Sequence, residues 1–250
     1  MAMSKAASTA TRAARWSPYE IDLAGLPGEA RPSGALWLPG ERLLCVADLH
    51  LGKAERTARR GGALLPPYDS VETLRRLSEE IRALDPIAVV CLGDSFDDLQ
   101  AARALSQDEQ ATLARLQTGR RWLWIAGNHD PAPTGVAGDG CDALTLRAPR
   151  GAIVFRHEAA EISPDSVEVS GHFHPKATLQ ARGRRIRRRC FLRDARRLIL
   201  PAFGAYTGGL DAADPVFDAL LGPEAQALLL GETVRAAPRN ALVAPHALPR

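Results

Sequence analysis

Three short apolar runs in the first half of the chain are each followed by polar residues of types that can bind metal ions. Leu43–Ala47 leads into Asp48-Leu49-His50, Ile87–Leu92 into Gly93-Asp94, and Trp122–Ala126 into Gly127-Asn128-His129-Asp130. Runs of this length are typical of buried strands. Ligands of open α/β sheets gather beyond the carboxyl ends of the strands. We therefore expect one sheet whose edge brings these polar side chains into a single site.

The second half of the chain adds imidazoles in the same way. His157 follows the strand-like Ile153–Phe155, and Gly171-His172-Phe173-His174 follows Val167–Ser170, so five of the six histidines lie in such blocks. Carboxylates and imidazoles without a thiolate suit Mn²⁺, Fe²⁺ or Zn²⁺. Seven ligands are too many for one catalytic ion, and they favour two ions about 3.5–4 Å apart that share a carboxylate. The candidate residues of this shared site are Asp48, His50, Asp94, Asn128, His129, His157, His172 and His174.

The segments between these runs predict helices in the first half and strands in the second. Asp69 and Glu72 resemble a capping box, and Asp85-Pro86 would end the helix that they begin. Its expected core face carries Val71, Leu74, Leu77, Ile81 and Leu84. A second helix is predicted from Ser106 to Gly119, which gives a β-α-β-α-β order and an α/β fold. Further strands are predicted at Ala177–Gln180, Arg189–Leu192 and Arg197–Leu200.

Domain organisation and composition predict one soluble domain. We expect a flexible tail over residues 1–15, a single domain over 16–235, and a Pro-rich tail over 236–250 that contains His246. No apolar run approaches the ~20 residues that cross a bilayer. Cys45 and Cys91 lie in apolar runs, as buried thiols do, and this usage fits a reducing cytoplasm. We therefore expect a cytoplasmic protein without a membrane partner.

Positive charge is concentrated in one segment. Residues 182–197 contain nine arginines and one acid, Asp194. Such clustering is typical of proteins that bind a polyanion, although a solvated hairpin in an arginine-rich chain is an equally good explanation. The candidate substrate contacts are Lys53, Arg184, Arg187 and Arg188.

In their order, the five blocks resemble the motifs of the calcineurin-like metallophosphoesterases. The matching residues are Asp48-x-His50, Gly93-Asp94, Gly127-Asn128-His129-Asp130, His157 and Gly171-His172-x-His174. The resemblance implies an α/β fold, specifically a four-layer α/β/β/α sandwich of two mixed sheets flanked by helices. It implies that Asp48, His50 and His174 bind one metal ion and that Asn128, His157 and His172 bind a second. Asp94 would bridge the two ions, and His129 would be the catalytic histidine, oriented by Asp130.

A narrower resemblance covers most of the chain. The segments His50–Lys53, Gly93–Phe96, Gly171–Pro175 and Pro201–Gly209 are similar to the ligase-associated DNA damage response endonucleases (PdeM). This similarity implies a DNA substrate, single-stranded or damaged, and association with a DNA ligase, a helicase and an exonuclease-like protein. That group commonly has His at the position of Asp97. We interpret Asp97, Asp98 and Glu158 as supporting the site or facing solvent.

Three hypotheses about function follow. The first is a DNA nuclease that uses two divalent ions, Mn²⁺ being favoured over Fe²⁺ or Zn²⁺. The second is a phosphodiesterase or pyrophosphatase for a small or lipid-linked substrate, because Asp48-Leu49-His50-Leu51 also resembles lipid A pathway pyrophosphatases. The third is a metal-binding scaffold without catalysis.

Overall fold

The fold is taken from a computed structural model, which describes residues 17–62, 65–130, 136–181 and 183–243. The predicted N-terminal tail over residues 1–15 and His246 lie outside these ranges. Within them, strands β1–β15 are Tyr19–Leu23, Leu26–Ala30, Leu36–Leu38, Leu43–Val46, Ala88–Leu92, Arg121–Ile125, Asp139–Cys141, Ala143–Ala148, Gly151–Arg156, Ser166–Ser170, Lys176–Ala181, Arg184–Arg193, Arg197–Ile199, Gln226–Leu229 and Arg235–Pro238. Helices α1–α4 are Lys53–Arg59, Asp69–Leu84, Leu99–Arg103 and Gln107–Gln117, and 3-10 helices span Pro215–Asp218 and Arg239–Ala241.

The first sheet contains β1 to β7 in sequence order. Strands β1 to β4 form antiparallel pairs, whereas β4 to β7 are parallel. Helices α2 and α4 supply the crossovers and pack on one face, where Leu77 and Leu113 join a buried cluster with Val89. The predicted β-α-β-α-β order is confirmed, and it places the carboxyl ends of β4, β5 and β6 at one edge.

The second sheet has the order β15-β14-β12-β13-β10-β9-β8 among the described residues, and β11 pairs with β12 outside this order. Strands β9, β10 and β13 run parallel. The long strand β12 uses its last four residues to pair with β14. Its first six residues form an antiparallel hairpin with β11. His157 directly follows β9, and His172 and His174 follow β10. These loops bring the three histidines toward the edge of the first sheet.

The main core lies between the two sheets. Phe155 and Phe191 from the second sheet are fully buried in one cluster with Cys45 and Val90 from the first. The predicted sandwich of two mixed sheets is confirmed. The helical layer expected outside the second sheet is smaller than predicted. In the described part of the chain, the short 3-10 helix at Pro215–Asp218 and its loops cover that face, with Phe217 buried against the sheet.

Helix ends and faces differ from prediction in two places. The Asp69 side chain does not cap α2 but accepts a hydrogen bond from the Ala54 backbone N–H, at 3.1 Å. Val71 is 53% exposed, so the core face of α2 is narrower than predicted. The predicted second helix begins after Ser106, which forms a capping box with Glu109. Trp122 and Trp124 are buried in the core.

Several strand boundaries also differ. β12 begins at Arg184 rather than at residue 189, because hairpin pairing rather than apolar burial forms its first half. β15 crosses the expected start of the C-terminal tail at residue 236 and pairs with β14. Strands β1 to β3 and helix α1 were not predicted from the sequence. No helix in the described ranges is both long and apolar enough to span a bilayer.

Candidate metal centre

The loops after β4 and β5 continue the parallel pairing of their strands. The His50 N–H donates to the Asp94 carbonyl at 2.9 Å, and the Leu51 N–H donates to the Ser95 carbonyl at 2.9 Å. The Asp97 N–H in turn donates to the Leu51 carbonyl at 3.0 Å. These bonds fix two ligand-bearing loops side by side, so the positions of Asp48, His50 and Asp94 follow from the strand register.

The backbone of the site is unusual. Nine non-glycine residues with positive φ occur in the described chain, and five of them are predicted ligands: Asp48, His50, Asp94, His172 and His174. A positive φ is uncommon for residues other than glycine. Such residues cluster at functional sites, where the surrounding contacts hold this backbone conformation. Gly127 lets the backbone of the Asp94 loop approach closely, since a Cβ at position 127 would lie 2.2 Å from the Asp94 nitrogen.

Asp48, His50 and His174 form one cluster of ligand atoms, all within 4.8 Å of one another. His174 Nε2 lies 3.3 Å from His50 Nε2 and 3.3 Å from Asp48 Oδ1. The Asp48 carboxylate is fully buried and accepts the His172 N–H at 3.0 Å. A buried carboxylate beside two imidazoles fits a divalent cation, because a buried charge needs a partner.

A second cluster lies around Asn128. Its Oδ1 is 2.9 Å from His157 Nε2 and 3.1 Å from His172 Nδ1, and these two nitrogens are 3.1 Å apart. The Leu92 carbonyl contacts His157 Nδ1 at 2.9 Å, which leaves Nε2 directed at the cluster. One amide oxygen and two imidazole nitrogens therefore face a common point.

Asp94 lies between the two clusters. Its Oδ2 is 3.9 Å from His50 Nε2 and 3.5 Å from His157 Nε2. Its Oδ1 accepts the His129 N–H at 2.9 Å, which fixes the carboxylate plane. The structure thus brings all seven predicted ligands together, and one carboxylate faces both ligand sets. This arrangement fits two divalent ions that share a bridging group.

His129 lies at the open side of the site and is 27% exposed. Its Nδ1 is 2.8 Å from the Asp97 carbonyl oxygen. Because a carbonyl only accepts, the proton of this contact resides on Nδ1. Nε2 is then directed toward the cluster, 4.0 Å from Asp94 Oδ2. The ring also forms a third group of close ligand atoms with His50 and Asp94.

The expectation that Asp130 orients His129 is wrong for this structure. The buried Asp130 carboxylate accepts the backbone N–H groups of Ser95 and Phe96, at 2.8 and 3.0 Å. Burial and the nearby charge of Asp94 raise the pKa of Asp130 to about 7, against the effect of these two hydrogen bonds. Asp130 therefore fixes the loop after β5, while the Asp97 carbonyl orients the imidazole.

Asp97 supports the site in a way that was not predicted from the sequence. Its Oδ1 is 2.8 Å from His50 Nδ1 and 3.2 Å from Lys53 Nζ, and its Oδ2 is 2.9 Å from Arg56 Nη1. Burial alone would raise the pKa of Asp97, but the bonds from His50 and Arg56 hold it far below its usual value. A carboxylate on Nδ1 leaves Nε2 of His50 free to bind a metal ion.

Burial lowers the pKa of His50, and the hydrogen bond to Asp97 opposes that shift. Asp97 reaches His50 because the loops after β4 and β5 stay paired beyond the strands: Leu51 forms a bridge with Phe96. No pattern in the sequence marks this contact, because it depends on pairing beyond the ends of the strands.

The remaining predicted residues have defined positions. Lys53 pairs with Asp97, a carboxylate that it shares with Arg56. Asp98 caps α3 through the Ala101 N–H and pairs with Arg59. Glu158 is exposed, with an oxygen 3.8 Å from His172 Nε2. Arg184, Arg187 and Arg188 are exposed on the first half of β12.

The family profile and one solved structure agree with this geometry. The family profile for calcineurin-like phosphoesterases matches residues 41–193. The crystal structure of the Pseudomonas putida nuclease MPE is similar, with 26% identity and a TM-score of 0.66 over 88% of this chain and 100% of that one. The phosphoesterase YfcE from E. coli has 11% identity and a TM-score of 0.40, over 79% of this chain and 99% of that one. No protein of curated function matches the sequence.

The matched residues 41–193 include all seven predicted ligands and His129. That family uses a binuclear divalent metal site, and the ligand clusters here supply the matching donors. The chain belongs to the calcineurin-like phosphoesterase family and is a metal-dependent phosphoesterase.

Proposed function

We propose that this chain is a nuclease that hydrolyses phosphodiester bonds of DNA with two divalent ions, Mn²⁺ being favoured. In this proposal Asp48, His50 and His174 would hold one ion, Asn128, His157 and His172 would hold the other, and Asp94 would contribute to both. The observation that carries the proposal is the position of the Asp94 carboxylate, with Oδ2 within 3.9 Å of His50 Nε2 and 3.5 Å of His157 Nε2.

Residues of this chain would orient the metal ligands and donate a proton, while the ions would activate water. Two divalent ions in such a site supply Lewis-acid activation of water and of phosphate oxygens. Asp97 keeps His50 in the tautomer that leaves Nε2 free, and the Leu92 carbonyl does the same for His157. Protonated His129 donates a proton from Nε2 to the departing oxygen, since its Nδ1 is occupied by the Asp97 carbonyl.

The choice of DNA as substrate rests on similarity. The Pseudomonas putida protein that aligns over its whole length is a nuclease. The segments His50–Lys53 and Pro201–Gly209 resemble DNA damage response endonucleases. We infer from this resemblance a role in bacterial DNA repair in the cytoplasm, with a DNA ligase, a helicase and an exonuclease-like protein as partners.

A two-substrate assay tests the proposal. The purified chain would be incubated with bis-p-nitrophenyl phosphate and with single-stranded DNA, in Mn²⁺, Fe²⁺ or Zn²⁺, beside the Asp94→Ala variant. Cleavage of both substrates by wild type alone supports the nuclease. Cleavage of the small diester alone favours the enzyme for a small or lipid-linked substrate. Inactivity on both substrates with every metal favours the non-catalytic scaffold.

A further inference from the structure

A cationic groove lies beside the β11–β12 hairpin. A cavity of about 610 Å³ is lined by Pro32, Lys176, Arg187, Arg188, Arg189 and Leu230, among others. In the part of the chain that the structure describes, no carboxylate lies within 4.0 Å of the charged groups of these four cations. This contrasts with Lys53, Arg56 and Arg59, whose charges are paired with acids.

The arrangement of these cations is unfavourable without an anion. Lys176 is directly opposite Arg189 in the antiparallel pair, and Arg187 lies two residues away on the same face. Like charges opposite each other destabilise a sheet. Arg189 donates only to the neutral carbonyls of Ala202 and Ser33. Burial and the nearby Arg76 lower the pKa of Arg189 to about 10.

The carboxylate of Asp211, an acid beside this hairpin, is already hydrogen-bonded. Asp211 pairs with Lys176 through the backbone at the edge of β11. Its carboxylate accepts the Thr178 hydroxyl at 3.0 Å and the Ala213 N–H at 3.0 Å. The groove therefore keeps an excess of positive charge that an anion can satisfy.

The groove is connected to the metal centre through the loop 204–209. At its start, the Gly204 N–H donates to the Asp48 carbonyl at 3.1 Å. At its end, Gly209 packs so closely on the His174 carbonyl that a Cβ would lie 2.0 Å from the oxygen. Lys176 Nζ donates to the Thr207 carbonyl at 2.9 Å. The loop thus joins two predicted ligands to the cationic groove.

Tyr206 lies in the middle of this loop. It has a φ of 57° and is 47% exposed. A non-glycine residue in the left-handed region costs free energy, and such residues concentrate at binding sites. An exposed aromatic side chain next to a cationic groove is the combination by which proteins hold single-stranded nucleic acids, the bases stacking on the ring and the phosphates meeting the cations.

We propose that the loop 204–209 and the cationic groove form the path of a single nucleic-acid strand that leaves the metal centre. Phosphates bind Lys176, Arg187 and Arg189, and a base stacks on Tyr206. This inference rests on the proposed nuclease function, since it names how the strand is held. A small diester occupies only the metal centre, so the path favours polymers over small substrates.

The test measures binding apart from turnover. Fluorescence anisotropy would follow a labelled 12-nucleotide oligothymidylate as salt is varied, for wild type, the double variant Lys176→Gln with Arg187→Gln, and Tyr206→Ala. Arg147→Ala is the matched control, because Arg147 is exposed on β8, the opposite edge strand of the sheet. Arg189 is left in place, since its buried hydrogen bonds support the fold.

The double variant should reduce the slope of log K against log salt by about 1.4, since each phosphate contact of a single strand contributes about 0.7. Tyr206→Ala should weaken binding by about 5- to 150-fold, as expected for one stacked base. The ratio of kcat/KM on single-stranded DNA to that on bis-p-nitrophenyl phosphate should fall in both variants and stay unchanged in Arg147→Ala. Arg187→Lys should retain the wild-type salt slope.

The proposal would be overturned if the double variant kept the wild-type salt slope and Tyr206→Ala kept the wild-type affinity. The same holds if Arg147→Ala has effects of equal size. Failure of the nuclease function itself has a different signature, because wild type would not cleave single-stranded DNA although its binding to the oligonucleotide could still be measured. The two failures are therefore distinguishable.

Discussion

Replacing Asp97 with Asn tests whether this carboxylate prepares His50 for metal binding. The change keeps the size of the side chain and one acceptor, but it removes the charge that contacts His50 Nδ1 at 2.8 Å. It also leaves Lys53 and Arg56 without their shared carboxylate partner. Lys53 would lose this partner, whereas Arg56 would keep Asp98, whose Oδ2 lies 3.4 Å from Arg56 Nε. The net positive charge beside a site that binds cations would rise, so metal affinity should fall.

The expected size follows from the contact that is lost. A hydrogen bond to a charged group contributes about 1.5–3 kcal/mol. This corresponds to a change of roughly 10- to 100-fold in metal affinity, the range measured when groups supporting a metal ligand are altered. The half-saturating Mn²⁺ concentration for hydrolysis of bis-p-nitrophenyl phosphate should rise by that factor, and turnover at saturating Mn²⁺ should recover most of the wild-type value.

The neighbouring carboxylate provides the control. Asp98→Asn removes an equal charge one residue away, but Asp98 caps α3 and pairs with Arg59 rather than with a predicted ligand. Its metal dependence should stay within about twofold of wild type, and thermal melting would verify that both variants are folded. Equal half-saturating Mn²⁺ concentrations in Asp97→Asn, Asp98→Asn and wild type would refute the reasoning.

Three further predictions concern the same site. Asp94→Ala should abolish both binding of a second metal equivalent, measured by calorimetry, and hydrolysis; full activity would contradict the bridging role. His129→Ala should lower kcat by about 10²- to 10⁴-fold while metal content by elemental analysis stays close to wild type; loss of metal would instead make His129 a ligand, as its contact with His50 and Asp94 allows. Gly127→Ala should destabilise the fold by about 1–3 kcal/mol or more, because its Cβ would lie 2.3 Å from Asp94 Oδ1. Gly140→Ala, with open space around the new Cβ, should leave the urea midpoint nearly unchanged; equal midpoints for both alanine variants would show that the close approach does not matter.

The convergence of the ligands was predictable because it depends on topology. Parallel strands end at a common edge, so side chains that directly follow β4, β5 and β6 had to meet there. The apolar runs marked these strands clearly, since both faces of the sheet are covered here: Val90 and Leu123 are buried in one core cluster and Val46 in the other. The histidines from the second sheet followed from the same reasoning once two sheets were packed face to face.

Other features depend on contacts that no periodicity records. Asp130 follows His129 directly in sequence, yet adjacent residues point in different directions, and its carboxylate bonds the loop after β5 instead. The role of Asp97 arises from pairing that continues beyond the strands. The first half of β12 was missed because its exposed arginines lack an apolar pattern, while its partner β11 supplies the hydrogen bonds.

The most direct test of the account is a crystal structure grown with Mn²⁺ and measured for anomalous scattering. Two ions should be observed about 3.5–4 Å apart, one among Asp48, His50 and His174 and the other among Asn128, His157 and His172. The Asp94 carboxylate should contact both. A single ion in the site, or two ions that do not share Asp94, would contradict the account.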